Sequence, residues 1–276
     1  MTINRHTSLA KEKRRARDQW SDDPCGEVYG RGLEFGTREF FDEVERHRYQ
    51  EYAPWMREVM GFDRFAGARL LEVGCGMGTD LLQFARGRAL CTGVDVTPRS
   101  VEISRLHFSV YGMKGDFVLS DAERLPFADN SLDVYYSNGV LHHTPGTADA
   151  VREAHRVLKP GGTAKVMLYH RNSWAYWIDL MLKQGVYRGE LFRGITPADL
   201  MSKYVEYSST GESRPLVKAY SRGEMRSLFS LFRDVKIEVD QLTRPEVYFV
   251  GKFIPEPVFR VMRRSIGWNV IVTAIK

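Results

Sequence analysis

Leu70-Leu71-Glu72-Val73-Gly74-Cys75-Gly76-Met77-Gly78-Thr79-Asp80 decides how this chain is read. An apolar run leads into three glycines at alternate positions and then into a helix start. Glycine is selected where a backbone turns tightly or a ligand approaches it closely. A strand that turns through such a loop into a helix presents backbone N–H groups as a binding edge. The flanking acids narrow the ligand. Glu72 precedes the first glycine by two residues, Asp80 follows the last by two, and the loop holds no Lys or Arg. That setting repels a pyrophosphate and favours a cationic ligand, an ammonium or a sulfonium.

The surrounding 276 residues suffice for one large α/β domain with additions. A composition 43% hydrophobic and 27% charged is that of a globular protein able to build a core. The formal charge is +5, with much of the excess in the first twenty residues, Arg5, Lys11, Lys13, Arg14, Arg15 and Arg17. This arm reads as a frayed, solvated helix, with contact to nucleic acid or an acidic membrane surface as the sharper reading. Cys25, Cys75 and Cys91 have no C-x-x-C spacing and an odd count, which argues for reduced thiols in a cytoplasmic protein. No signal peptide and no apolar run of membrane-spanning length is visible.

Outward from the glycine loop, strands alternate with helices. Strands are expected at 69–73, 90–95, 117–119, 132–136 and 164–169. Helices are expected at 80–86, after the Thr97-Pro98 start, and at 148–158 before the Lys159-Pro160-Gly161-Gly162 turn. This rhythm implies right-handed crossovers and a mostly parallel sheet. Residues 1–60 read as a helical arm and cap, with 37–60 packing over the ligand site. The domain proper is 61–276, with a lid insertion at about 170–220. Ser221-Arg222-Gly223-Glu224 fits a capping box, and 235–239 and 269–275 read as late strands. The segment 253–266 reads as an amphipathic helix or loop, with a membrane-surface helix as the alternative.

Three further acids or loops share the carboxyl edge of the sheet, where ligands of open α/β sheets bind. Asp95 ends the second strand, where a carboxylate accepts both hydroxyls of a ribose. Asp121 and Ala122 follow the third, placed for an adenine. Asn138 and Gly139 follow the fourth, ahead of His142 and His143.

With these residues in hand, the chain resembles a class I S-adenosylmethionine-dependent methyltransferase of the small-molecule type. The resemblance rests on 71–78, Val94-Asp95, Asp121–Phe127, Ser131-Leu132-Asp133, Val140–His143 and Arg156–Gly162, and spans about 65–170. It implies an α/β three-layer Rossmann-like fold, a seven-stranded sheet of order 3-2-1-4-5-7-6 with the last strand antiparallel. It also implies S-adenosylmethionine as cofactor. Gly74, Cys75 and Gly76 would approach its amino-acid end and ribose. Glu72 would set up the loop, Asp95 with Val96 would hold the ribose, and Asp121 and Ala122 would face the adenine. Asn138 and Gly139 would lie beside the methionine moiety.

Methyl transfer mainly requires alignment and exclusion of water, with a base only where the nucleophile must lose a proton. His142 or His143 is a candidate base, and Asn138 and Tyr176 are candidate catalytic contacts. Adjacent histidines have no metal-ligand spacing, so no metal is assigned. Tyr49, Tyr52 and Trp55 of the cap, with Tyr169, Trp174 and Trp177 after the fifth strand, are expected to line a lid over the sulfonium. The chain also resembles bacterial azetidine-2-carboxylate synthases. That likeness implies an alternative in which the cofactor's own α-amine closes a ring and releases methylthioadenosine. The glycine spacing departs from G-x-G-x-x-G, which weighs against a nicotinamide dehydrogenase, and no Asn-Pro-Pro loop supports a nucleic-acid substrate. The expected partner is a small molecule, and the expected state a monomer or homodimer.

Overall fold

The computed structural model describes residues 2–206 and 215–276. Side chains of 2–9, Arg5 among them, and the 207–214 part of the expected lid lie outside the described residues. Strands β1 (Arg69–Val73), β2 (Leu90–Asp95), β3 (Asp116–Leu119), β4 (Leu132–Asn138), β5 (Leu158–His170), β6 (Ala219–Tyr220), β7 (Arg233–Asp240) and β8 (Asn269–Ile275) form one sheet. Its order is β3-β2-β1-β4-β5-β8-β7. β8 runs antiparallel to both neighbours, and the other pairings along this path are parallel. The expected topology is therefore present. The addition is the two-residue β6, which pairs parallel to the end of β5.

Helices cover both faces, so most strands are apolar on both sides, as parallel sheets require. Leu71, Val73, Tyr135, Val166 and Val272 face one layer, against α5 (Thr147–Val157) and α7 (Arg222–Leu228). Leu70, Cys91, Val134, Tyr136 and Ile271 face the other, against α3 (Thr79–Arg86), α4 (Pro98–Val110) and the wide turns at 47–52 and 57–61. The helix starts follow from local chemistry. Thr97 accepts from Ser100 N at the head of α4, and Ser221 and Glu224 close a reciprocal capping box on α7. One expectation needs revision. Lys159–Gly162 is no simple turn. β5 begins at Leu158, opposite Leu132, and pairing resumes at Val134↔Thr163, so the four residues form a bulged excursion inside the strand.

Before the sheet come α1 (Thr2–Asp22) and α2 (Arg38–Arg46). After β5, a wide helix at 175–187 and α6 (Pro197–Tyr204) build a separate apolar cluster around Tyr176, Leu180, Leu200 and Met201. α8 (Glu256–Ile266) buries Phe259 against Leu242 and Val247. Among the described residues, no helix is long and apolar enough to cross a membrane.

Candidate active site

The glycine loop leaves β1 with Gly74 at φ 74° and Gly76 at φ 53°, left-handed conformations that other residues adopt at a cost. A side chain at Gly74 would meet Val140 Cγ2 at 2.3 Å, whereas one at Gly76 would meet nothing within 4 Å. Gly74 therefore serves packing, and Gly76 leaves the backbone open toward a cavity. Gly76 N donates to Asp95 Oδ2 at 3.0 Å. Thr97 N and Oγ1 donate to Asp95 Oδ1 at 2.9 and 3.0 Å. These bonds fix the β2 carboxylate beside the loop, although burial still pushes its pKa up.

The cavity above this edge measures about 770 Å³. Its wall includes Glu72, Gly74, Cys75 and Gly76 from β1, and Asp95 and Val96 from β2. Asp121 and Ala122 beyond β3, and Asn138 and Gly139 from β4, complete that side. All ten positions read from the strand ends thus surround one space. Two of them carry acceptor atoms without a partner among the described residues, Glu72 Oε2 and Asn138 Oδ1, both buried. Glu72 also accepts from Leu81 N, so one oxygen braces the first turn of α3 while the other is unclaimed. Burial and the nearby Asp80 charge hold its carboxyl well above the usual carboxylate range. Two orphan acceptors beside an open glycine suit a ligand bearing an ammonium group.

Asp80 ties this wall to the cap. Arg48 Nε and Nη2 donate to its two oxygens at 2.6 and 2.7 Å, Tyr49 Oη at 2.5 Å, Tyr136 Oη at 2.8 Å and Asn138 Nδ2 at 3.0 Å. The guanidinium and the hydroxyls hold Asp80 below its ordinary pKa despite burial. Asn138 is thereby fixed with its carbonyl oxygen left over.

Of the six expected lid aromatics, Tyr52 and Tyr169 line the cavity. The other four do not. Tyr49 is buried against the Asp80 cluster. Trp55 donates to Gln241 Oε1 at 2.7 Å, and Trp174 belongs to the cluster around Phe259. Trp177 is exposed on the outer surface. Tyr176 is buried in the α6 cluster and lies outside the cavity lining. His142 is also outside it. The ring is fully buried beneath Tyr169, with centroids 4.0 Å apart, and both nitrogens lack a partner among the described residues. Burial, with His143 and Lys218 nearby, holds it neutral far below the usual histidine pKa. Their residue types and spacing are those of lining and of packing positions alike, so the sequence alone does not separate the two.

The sequence reading overlooked several lining residues. Lys13 of α1 pairs with Asp121 at 2.6 Å and with Glu123 at 2.5 Å, and Trp20 stands edge-on to His143 at 5.2 Å. The arm expected to be solvated therefore packs along the cavity wall at Asp121 and His143. Cys25 opens onto the cavity. On the far side Tyr169 Oη donates to Glu206 Oε1 at 2.8 Å, and His143 Nε2 lies 3.4 Å from the same oxygen. His143 is oriented by a bond from Nδ1 to Leu216 O at 2.8 Å. His142, His143 and Glu206 each offer a ligand atom within 4.8 Å of one another. Nothing local to Glu206 in sequence signals this placement.

Comparison with known proteins adds the lineage. Residues 71–166 match the family model described as a methyltransferase domain. A ubiquinone biosynthesis O-methyltransferase of Bordetella bronchiseptica is 30% identical over 170 residues, covering 61% of this chain and 69% of that protein. The chain belongs to the class I S-adenosylmethionine-dependent methyltransferases. Within this methyltransferase family, a sterol 4-C-methyltransferase of Caenorhabditis elegans is 36% identical over 94 residues, 33% of this chain and 28% of that protein. The chain spans 28%, 58% and 37% of the length of three such relatives. Among solved structures, a methyltransferase from Archaeoglobus fulgidus aligns with a TM-score of 0.54 at 17% identity, covering 84% of this chain and 97% of that one. The [4+2]-cyclase SpnF aligns with a TM-score of 0.54 at 18% identity, covering 99% and 94%. At such identity these two structures establish the shared fold alone.

Proposed function

We propose that this chain transfers a methyl group from S-adenosylmethionine to a small molecule whose attacking atom carries a proton. When bound, S-adenosylmethionine supplies a methyl carbon on a sulfonium with a neutral leaving group. Asp95 would hold the ribose hydroxyls, and Asp121 with Ala122 would flank the adenine. Glu72 Oε2 and Asn138 Oδ1 would accept from the α-ammonium. The observation carrying this reading is the division of the cavity. One side is the strand-edge set with its orphan acceptors. The other, lined by Tyr52, Tyr169, His143 and Glu206, has room for an acceptor, since about 770 Å³ lies in the upper part of the roughly 300–1,000 Å³ range of small-molecule sites.

In this reading Glu206, positioned by Tyr169 and His143, accepts the acceptor's proton. The fully buried His142 instead supports the Tyr169 ring. Replacing Glu206 with Gln is expected to lower kcat by about 10²-fold or more, the usual contribution of a positioned base. For the ring-closing alternative, Asn138 and Tyr169 line the cavity and Tyr176 does not.

The test is to incubate pure protein with S-adenosylmethionine, alone and with a panel of hydroxyl and amine acceptors, and to identify the nucleoside formed. Adenosylhomocysteine appearing only with an acceptor is the expected result. Methylthioadenosine released over many turnovers without an acceptor would replace transfer by ring closure.

A further inference from the structure

The outer surface of the lid region carries more apolar area than its own packing needs. The helix at 175–187 buries Tyr176, Leu180 and Met181, yet Trp177 is exposed on its other side and Tyr187 is 87% exposed. Phe192 follows at 80%, and the short turns at 245–253 present Phe249 at 76% and Phe253 at 81%. α8 repeats the pattern, with Phe259 inward and Val258 and Val261 outward. An ordinary surface helix has one apolar stripe. Here consecutive elements have two.

The 175–187 helix, the turns at 245–253 and α8 adjoin one another. Tyr248 Oη bonds Asp179 of the 175–187 helix, and the Lys183 ammonium sits 5.5 Å from the Tyr248 ring centre. Arg244 bonds Gly251 O and Ile254 O at 2.8 Å and Glu256 at 2.7 Å, joining the turns to α8. Tyr248 holds φ 54° with ψ −151°, a backbone state costly outside glycine, so the loop bearing Phe249 is held under strain.

The charges interleaved with these side chains are mainly positive. Lys183, Arg188, Arg193, Lys252, Arg260 and Arg264 are exposed. The acids nearby are engaged within the fold, Asp179 by Tyr248, Glu190 by Lys203 and Tyr204, Glu246 by Thr243 N and Glu256 by Arg244. From this juxtaposition of projecting aromatics and an excess of exposed cations, we propose that the 177–264 face docks on an anionic lipid bilayer, its rings entering the headgroup boundary. Both attractions match that partner: apolar side chains insert at the acyl edge, and basic residues draw to anionic headgroups. A symmetric contact with a second copy would instead set these cations against themselves. The inference is independent of the methyl-transfer reading.

The test is co-sedimentation of the full chain with vesicles of phosphatidylcholine alone and with phosphatidylglycerol added. Binding is expected only with the anionic lipid and is expected to weaken with salt. The double variant Phe249→Ser/Phe253→Ser is expected to reduce binding about tenfold or more. In Lys252→Glu/Arg260→Glu, each lost charge is expected to account for about fivefold or more. S-adenosylmethionine binding measured by calorimetry is expected to be unchanged in both variants, which shows that they fold. Failure to sediment with anionic vesicles would overturn the proposal. So would a concentration-dependent dimer abolished by the phenylalanine pair, because that would assign the face to a second copy.

Discussion

Asp95 spends three hydrogen bonds holding the glycine loop and the start of α4, yet its carboxylate still faces the cavity. Replacing Asp95 with Ala would remove the proposed ribose acceptor and loosen Gly76 together. S-adenosylmethionine binding is expected to weaken at least about tenfold, or about 1.4 kcal/mol, and near-native affinity in calorimetry would refute the assignment. Glu72 gives a sharper signature. Burial and Asp80 keep its carboxyl protonated above the usual range. An ammonium placed beside it favours the carboxylate, so binding at acidic pH, between the usual carboxylate range and the raised pKa, should release a proton, and affinity should rise as pH rises toward that pKa. Calorimetry in two buffers of different ionisation heat reads that proton directly. The release should vanish in Glu72→Gln, and equal heats for the wild type in both buffers would remove Glu72 from the site. Both residues were legible in the sequence because a strand-end acid beside a glycine turn has few structural uses. Glu206 was not, since a carboxylate that reaches the cavity from a segment distant in sequence leaves no local pattern.

The helices before β1 pack on α3 through apolar side chains and through one buried ion pair. Arg48 and Asp80 are paired by two hydrogen bonds, and Asp80 takes three more from Tyr49, Tyr136 and Asn138. Removing one partner of such a pair strands a buried charge, which costs about 3–5 kcal/mol, whereas removing both is often near neutral. Arg48→Met alone is thus expected to destabilise by about 3 kcal/mol in urea unfolding. Adding Asp80→Asn should recover most of that loss. Equal stability of the single and double variants would show that the pair does not join the elements. The periodic apolar residues of 37–60 made its helices readable, but not which residues turn inward. A period of 3.6 fits neither the wide turns at 47–52 and 57–61 nor the 175–187 helix, so Tyr49 and Tyr176 fell on faces that the pattern did not indicate. α1 was misjudged for a different reason. Its polar, basic composition resembles a solvated helix, and only the folded chain brings Lys13 to Asp121 and Trp20 to His143.

The sheet was the most legible part of the molecule, because strands buried on both faces leave continuous apolar runs and their connections obey a fixed hand. That burial also encloses titratable rings, and it sets how the whole fold responds to acid. His107 of α4 is fully buried, stacked on Phe41 at 3.9 Å, and its Nδ1 donates to Met77 O at 2.8 Å. Its Nε2 has no partner among the described residues, so a proton there would be buried and uncompensated. Burial accordingly pushes its pKa down to about 4. The unfolded chain, with an ordinary histidine near 6.5, binds that proton more readily. Stability is therefore complete above about pH 6.5 and is lost as pH falls toward 4. At about 1.4 kcal/mol per pH unit, His107 removes about 3 kcal/mol over that window. His142, also held neutral by burial, acts in the same direction, while the raised pKa of Glu72 acts against both. Comparing urea unfolding of the wild type and His107→Gln across pH 4 to 7 isolates the ring, since the other groups contribute to both curves. The variant should lose stability less steeply, by close to one proton in the slope. Parallel curves would mean that acid enters the fold elsewhere and that the Met77 contact tolerates a charged ring.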